Sequence, residues 1–147
     1  LLPEKFGKAD YVFAANPTRN VEEGELDNSY SYLRPLMTIS PAAIKLGLPV
    51  NIEFSANDTS DLARELLDEK YHNSTIYTAW SHGYLPDLIN KVAGNAVGER
   101  QKITDDWAGD DFDSLYVLTL KWHNGKASLQ SHSYKQGLDN GKATCPT

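Results

Sequence analysis

Two short apolar runs stand out along the chain, at Tyr11–Ala15 and at Thr75–Trp80. Apolar or β-branched residues occupy successive positions in each run, which is typical of strands covered on both faces. Asp10 and Asn16-Pro17 bound the first run, and the second ends abruptly at Ser81. We therefore predict two neighbouring, buried, parallel strands.

Segments with helical periodicity follow these runs. The clearest one carries apolar residues at positions i, i+3, i+4 and i+7, namely Leu85, Leu88, Ile89 and Val92. Pro86 suits the first turn of a helix, where its missing N–H costs nothing. This pattern predicts an amphipathic helix directly after the second apolar run.

Two further helices are predicted from capping signals. Ser40 and Pro41 together indicate a helix start, with serine as the N-cap and proline at the first helical position. Gly47 then indicates the end of that helix. Thr59 or Ser60 is suited to cap a further helix, whose apolar residues recur on one face.

The C-terminal part of the chain predicts a hairpin. The β-rich runs Leu115–Trp122 and Ala127–Tyr134 flank Asn124-Gly125, and Asn-Gly between such runs is the strongest short hairpin signal. Val50–Phe54 can form another strand. Strands that alternate with helices predict an α/β fold. We expect one domain over residues 1–147, with a mostly parallel sheet and an antiparallel hairpin.

Composition limits the classes of partner. The 147 residues carry a net charge of −6 and no basic stripe, which argues against a nucleic-acid partner. Cys145 is the one cysteine, so an internal disulfide and a cysteine-rich zinc site are excluded. No apolar run approaches the roughly 20 residues that span a bilayer, so we expect a soluble protein with no membrane partner.

His82 is the first candidate site residue. It follows the second predicted strand directly and precedes a predicted helix, and ligands of open α/β sheets bind at that edge. Histidine side chains change charge near neutral pH and can meet an anion. Gly83 lets the backbone approach the same ligand. The alternative is a structural role for a lone histidine.

Arg34 is the second candidate. It follows the long polar segment Pro17–Ser31, which we predict to be a loop, and it precedes a helix. A guanidinium in this position can bind two oxygens of a phosphate or carboxylate at once. The alternative is a surface arginine paired with one of the 20 acidic residues.

The sequence gives little sign of a metal or cofactor. The predicted loop Gly94–Asp113 contains the acidic cluster Asp105–Asp113, whose oxygens could bind Ca²⁺. The cluster lacks the spacing and final Glu of a calcium-binding loop, so a solvated acidic loop is the other interpretation. His72, His123 and His132 show no ligand spacing. We expect no metal and no cofactor.

Taken in order, these segments resemble the histidine phosphatase superfamily, which has the phosphoglycerate-mutase-like fold. Asp10–Ala14 resembles the family's second strand, and Arg34–Thr38 resembles its Arg-Ala-x-x-Thr helix opening. Thr78–Gly83 resembles the strand that carries the second active-site histidine. Asp110–Val117 and Gln136–Leu138 resemble small bacterial members. The resemblance covers nearly the whole chain and implies a three-layer fold in a bacterial cytoplasm or periplasm.

The resemblance also implies an activity. Family members hydrolyse phosphomonoesters through a phosphohistidine, without a metal. Arg34 and His82 would be the catalytic residues that hold the phosphoryl oxygens, and Gly83 would lie beside the substrate. The implied ligand is a phosphorylated small molecule, or phosphate or sulfate. Asp58 and Glu53 both stay open as the proton donor.

One departure limits this implication. The family nucleophile is a histidine in an Arg-His-Gly or Arg-His-Ala motif on the first strand, and this chain contains no Arg-His pair. We therefore expect the first strand to precede Leu1, and Leu1–Phe6 to be the end of the first helix. A sheet that lacks a strand exposes an edge, through which a homo-oligomer can form.

Three functions stay open at this point. The first is a phosphomonoester hydrolase that is inactive without its nucleophile. The second is a non-catalytic module on the same fold that binds anions or a partner. The third is a Ca²⁺-dependent structural domain built on the acidic cluster.

Overall fold

The computed structural model describes residues 2–21, 30–98 and 102–138, and Leu1 and Cys145 lie outside them. The helices are α1 (Leu2–Phe6), α2 (Arg34–Leu46), α3 (Thr59–Leu66) and α4 (Leu85–Val97), with a 3-10 turn at Glu69–Tyr71. The strands are β1 (Tyr11–Ala14), β2 (Asn20–Val21), β3 (Tyr30–Ser31), β4 (Val50–Asn51), β5 (Ile76–Ala79), β6 (Ser114–His123) and β7 (Lys126–Lys135). This alternation confirms the predicted α/β class.

Three parallel strands form a sheet in the order β4-β1-β5. β1 pairs with β5 from Tyr11 opposite Ile76 to Ala14 opposite Ala79. The prediction that the two apolar runs are parallel neighbours is therefore confirmed. Among the described residues, β4 and β5 each pair on one side only, so both are edge strands.

Helices cover both faces of this sheet. Val12 and Ala14 point to one face and pack against α2, whereas Phe13 and Ala15 point to the other face and pack against α3 and α4. This alternation explains why β1 is apolar at successive positions. β5 is less well covered, because Tyr77 is its one fully buried residue. That difference fits its position at the edge of the sheet.

The strand predicted over Val50–Phe54 is too long, since it stops after Asn51. The Oδ1 atom of Asn51 accepts a hydrogen bond from the Glu53 backbone N–H at 2.9 Å, which turns the chain out of the sheet. Phe54 packs against the core instead, with its ring centroid 6.5 Å from that of Phe13.

The predicted helix start at Ser40 and Pro41 is wrong, because α2 begins at Arg34. Pro35 occupies the first turn and fulfils the role assigned to Pro41. Pro41 lies inside the helix, on its exposed side. Proline has no N–H to bond the carbonyl one turn earlier, but on an exposed side water can hydrate that carbonyl instead. The predicted end at Gly47 is confirmed, with φ of 67° in the left-handed region.

Helix α3 begins at Thr59, so Asp58 rather than Thr59 or Ser60 holds the N-cap position. The Thr59 hydroxyl is buried and donates a hydrogen bond to the Asp87 carboxylate of α4. That contact between helices occupies the hydroxyl, which explains why Thr59 does not act as the cap.

The amphipathic helix predicted after the second apolar run is confirmed as α4. Its buried residues are Leu88, Ile89, Val92 and Ala93. The helix continues past Gly94 to Val97, so the predicted loop Gly94–Asp113 begins later than expected. Among the described residues, no helix is long and apolar enough to cross a membrane.

The predicted loop Pro17–Ser31 contains a short antiparallel pair, β2 with β3. Residues 22–29 of this loop lie outside the described residues. The pairing was not predicted, because two-residue strands leave no periodic pattern in a sequence.

The predicted C-terminal hairpin is confirmed as β6 and β7, which pair from Ser114 opposite Lys135 to His123 opposite Lys126. Asn124 and Gly125 form its turn with φ of 50° and 75°, both in the left-handed region. Positive φ at both central residues is what a two-residue hairpin turn requires. Leu118 of β6 packs against the core on the α3 and α4 side of the sheet.

Candidate functional site

His82 lies in the predicted position, in the turn between β5 and α4. The Ser81 carbonyl accepts hydrogen bonds from the backbone N–H groups of Tyr84 and Leu85 at 3.0 and 2.8 Å, which closes this turn. His82 is half-buried and Gly83 is exposed. A Cβ at Gly83 would meet Ser81 Oγ at an ordinary 3.9 Å. The position therefore has room for a ligand but does not require glycine.

Arg34 is the first residue of α2 and its side chain is exposed. Its guanidinium carbon lies 5.1 Å from the ring centroid of Tyr32, within the range of a cation–π contact. Tyr32 is buried, so a fixed ring lies against the guanidinium.

His82 lies in the turn that leaves the C-terminal end of β5, whereas Arg34 begins α2, which follows β1 only after β2 and β3. β5 ends at Ala79, shortly before His82, and β1 ends at Ala14, which pairs with Ala79. The chain then runs from β1 to α2, which packs on β1 and β5. Arg34 begins that helix. A cavity opens beside His82, and its lining includes Gly83 but does not include Arg34.

A cavity of about 360 Å³ opens beside His82. One wall is the first half of α4, and the other is the loop that follows α4. The lining residues are His82, Gly83, Pro86, Asp87, Asn90, Asp105, Asp106 and Trp107. Gly109 of the same loop is also close, since a Cβ there would lie 3.8 Å from His82 Nε2.

Asn90 fixes the loop wall to α4. Its Oδ1 atom accepts hydrogen bonds from the backbone N–H groups of Ile103 and Thr104 at 2.7 and 3.2 Å. Its Nδ2 atom donates to the Thr104 carbonyl at 2.8 Å. These bonds hold the segment Asp105–Trp107 against the helix. Sequence reasoning missed this wall, because the partners of Asn90 are backbone atoms far away in the chain.

Asp87 is the carboxylate of the helical wall. Lys91 Nζ lies 2.7 Å from its Oδ2 atom, and the Thr59 hydroxyl donates to the same carboxylate. Partial burial favours the neutral acid, but the hydrogen bonds from Lys91 and Thr59 outweigh it and keep the pKa of Asp87 below its ordinary value. Asp87 is therefore ionised at neutral pH.

The loop wall adds two more carboxylates. Asp105 forms an ion pair with Lys102, which does not line the cavity. Among the described residues, no ion pair involves Asp106. The lining thus contains three carboxylates, an imidazole and an indole, and it contains no lysine or arginine.

Two other aspartates of the predicted acidic cluster hold the base of the hairpin. The Asp113 carboxylate accepts hydrogen bonds from the backbone N–H groups of Gly137 and Leu138 at 2.9 and 2.8 Å. Asp111 accepts one from Lys135 Nζ at 2.8 Å. In the described ranges, no three His, Cys, Asp or Glu side chains are grouped to hold a metal ion.

We expect Asp111→Asn to lower the free energy of unfolding by roughly 2 kcal/mol at neutral pH. Partial burial favours the neutral acid, but hydrogen bonds from Lys135, Ser114 and backbone N–H groups hold the pKa of Asp111 well below its ordinary value. A carboxyl whose pKa is lower in the folded state stabilises the fold above about pH 4. That stabilisation is lost as the pH falls through the folded pKa.

Urea unfolding between pH 7 and pH 2 measures this effect. The variant should lose part of the acid dependence that the parent shows. Asp110→Asn is the matched control, because Asp110 is an exposed neighbour in the same loop. Equal acid dependence in the parent and in Asp111→Asn would contradict the prediction.

The remaining candidates lie away from the cavity lining. His72 stacks on a hairpin tryptophan at 4.3 Å between ring centroids, and His123 and His132 belong to the hairpin strands. Asp58, a candidate proton donor, accepts a hydrogen bond from a nearby backbone N–H at 2.8 Å, and Glu53 is exposed. Neither carboxylate lines the cavity, so the structure favours neither Asp58 nor Glu53 as the proton donor.

A second cavity lies between α3 and α4 and holds none of the predicted site residues. Its lining residues are Ser60, Arg64, Leu67, Lys91 and Asn95. Because it contains two basic side chains, it is a competing place for an anion and supplies a control for binding experiments.

Family models, curated proteins and solved structures contain no match to this chain. The resemblance to the histidine phosphatase superfamily therefore stays a prediction from the order and spacing of short sequence motifs.

Proposed function

We propose that this chain forms the phosphate-holding part of a phosphomonoester hydrolase of the histidine phosphatase type, on a phosphoglycerate-mutase-like fold. The observation that carries the proposal is the position of His82 in the turn after β5, which pairs in parallel with β1, together with Arg34 at the start of α2, which packs on both strands. Ligands of such sheets bind at that edge. An imidazole and a guanidinium both supply N–H donors for phosphoryl oxygens.

The chemistry is a double displacement. A histidine nitrogen attacks phosphorus, the ester P–O bond breaks, and the alcohol leaves with a proton from a general acid. Water then attacks the phosphohistidine, which releases phosphate and restores the histidine. Arg34 and His82 hold the phosphoryl oxygens and offset the charge that develops on them. A hydrolase of this type needs an attacking histidine in an Arg-His pair, and this sequence contains no such pair.

The second candidate is a non-catalytic anion-binding or interaction module on the same fold. The absence of an Arg-His pair from the sequence favours it. The two functions differ in one observable, since only a hydrolase of this type forms an acid-labile phosphohistidine.

Titration calorimetry with inorganic phosphate tests the binding half of the proposal. We expect millimolar binding that weakens about tenfold in Arg34→Ala and in His82→Ala, because each removes a hydrogen bond to a charged ligand. Arg64→Gln is the control, since Arg64 lines the second cavity. Unchanged affinity in both site variants, or a loss confined to Arg64→Gln, would refute the assignment.

A further inference from the structure

The lining of the cavity beside His82 combines two chemically different sets of groups. One is the imidazole of His82, and the other is the loop wall, which Trp107 forms with the carboxylates of Asp105 and Asp106. We propose that the ligand is a phosphomonoester that also carries an ammonium group, with the ammonium facing this wall. The proposal rests on the proposed function, which places the phosphoryl group near His82.

The charges of the lining favour such a ligand. A purely anionic ester would bring its charge close to Asp87, Asp105 and Asp106 with no basic side chain in the lining to offset them. Lys91 and Lys102 offset the charges of Asp87 and Asp105 from outside the lining, which leaves Asp106 as the lining carboxylate without an ion pair among the described residues. An ammonium group reverses the sign of this interaction, since opposite charges a few ångströms apart attract even near a protein surface.

The indole of Trp107 points to the same chemistry. Its Nε1–H donates to the Asp111 carbonyl at 3.0 Å, and its ring lies 5.3 Å from that of Tyr116. Both contacts fix the ring before a ligand arrives. An aromatic face beside carboxylates is the arrangement that recognises alkylammonium groups, and tryptophan is the strongest of the aromatic residues in this role.

The wall is also pre-formed. Three hydrogen bonds from Asn90 hold its backbone, so binding does not have to order the loop. The cavity volume of about 360 Å³ lies at the small end of the range for small-molecule sites. It therefore suits a compact ester rather than a nucleotide or a phosphopeptide.

Calorimetry with three probes tests the inference: phosphocholine, inorganic phosphate, and dimethylbutyl phosphate, in which a tert-butyl group replaces the trimethylammonium. We expect phosphocholine to bind about tenfold more tightly than dimethylbutyl phosphate, which has the phosphate but lacks the ammonium charge. The double variant Asp105→Asn, Asp106→Asn should reduce this difference and leave inorganic phosphate binding no weaker. Asp110→Asn, a loop aspartate outside the lining, should preserve the difference.

The outcomes separate the two proposals. Equal affinity for phosphocholine and its analogue, with phosphate binding still dependent on Arg34 and His82, overturns the ammonium inference and leaves the proposed function standing. Binding of choline as tight as that of phosphocholine, without any phosphate binding, overturns both. A preference for phosphocholine that is undiminished in the double variant overturns the assignment to this wall.

Discussion

Phe13→Ala is expected to lower the free energy of unfolding by about 3–5 kcal/mol. Phe13 lies on the central strand of the sheet with 1% of its surface exposed. Its ring meets Tyr71 edge-on at 5.8 Å between centroids and packs against Leu62 of α3 within the same cluster. Truncation removes these contacts and leaves a cavity that neighbours on a fixed sheet cannot fill.

Phe112→Ala is the matched control for this prediction. Phe112 lies in the loop before β6 with 42% of its surface exposed, so its truncation should cost less than about 1 kcal/mol. Urea unfolding measures both values. Similar losses for the two variants would show that the α3 and α4 side of the sheet is not the main core.

The hairpin turn and strand β1 were predicted correctly, because neighbouring residues specify each of them. Asn124-Gly125 specifies its own turn, and β1 carries apolar residues at every position because it is covered on both faces. The start of α2 was not predictable in this way, because Pro35 and Pro41 are equally good local signals. Packing decides between them: Pro35 and Ile39 are buried, which extends the helix N-terminally past Ser40.

The candidate site shows the same division. The turn that holds His82 was predicted, since a strand and a helix adjoin it in the sequence. The opposite wall was missed, because Asn90 and Thr104 meet only after folding and neither carries a pattern that indicates the contact. Trp107 and Asp106 were visible as an acidic, aromatic segment, but their position beside His82 depends on that contact.

The largest expected effect concerns turnover. If the proposed function holds, this 147-residue chain should hydrolyse an aryl phosphate at a rate on the order of 10⁶-fold below that of a histidine phosphatase with its nucleophile, because loss of a nucleophile has that scale of cost. On the same proposal, Arg34 and His82 would leave a residual electrostatic contribution on the order of 10³-fold over water. Among the described histidines, only His82 lines the cavity, and we assign it to holding phosphoryl oxygens.

Release of nitrophenol from its phosphate ester, followed over hours at neutral pH, measures this rate. His82→Ala should lower only the slow residual rate that His82 and Arg34 provide, since the parent has no phosphohistidine step for it to remove. Acid-quenched and alkali-quenched samples should carry no bound phosphate. Rapid turnover that His82→Ala abolishes, together with acid-labile phosphate on His82, would show that His82 is itself the nucleophile. The phosphate-holding role would then fall to Arg34 or to Arg19, which lies shortly after the C-terminal end of β1.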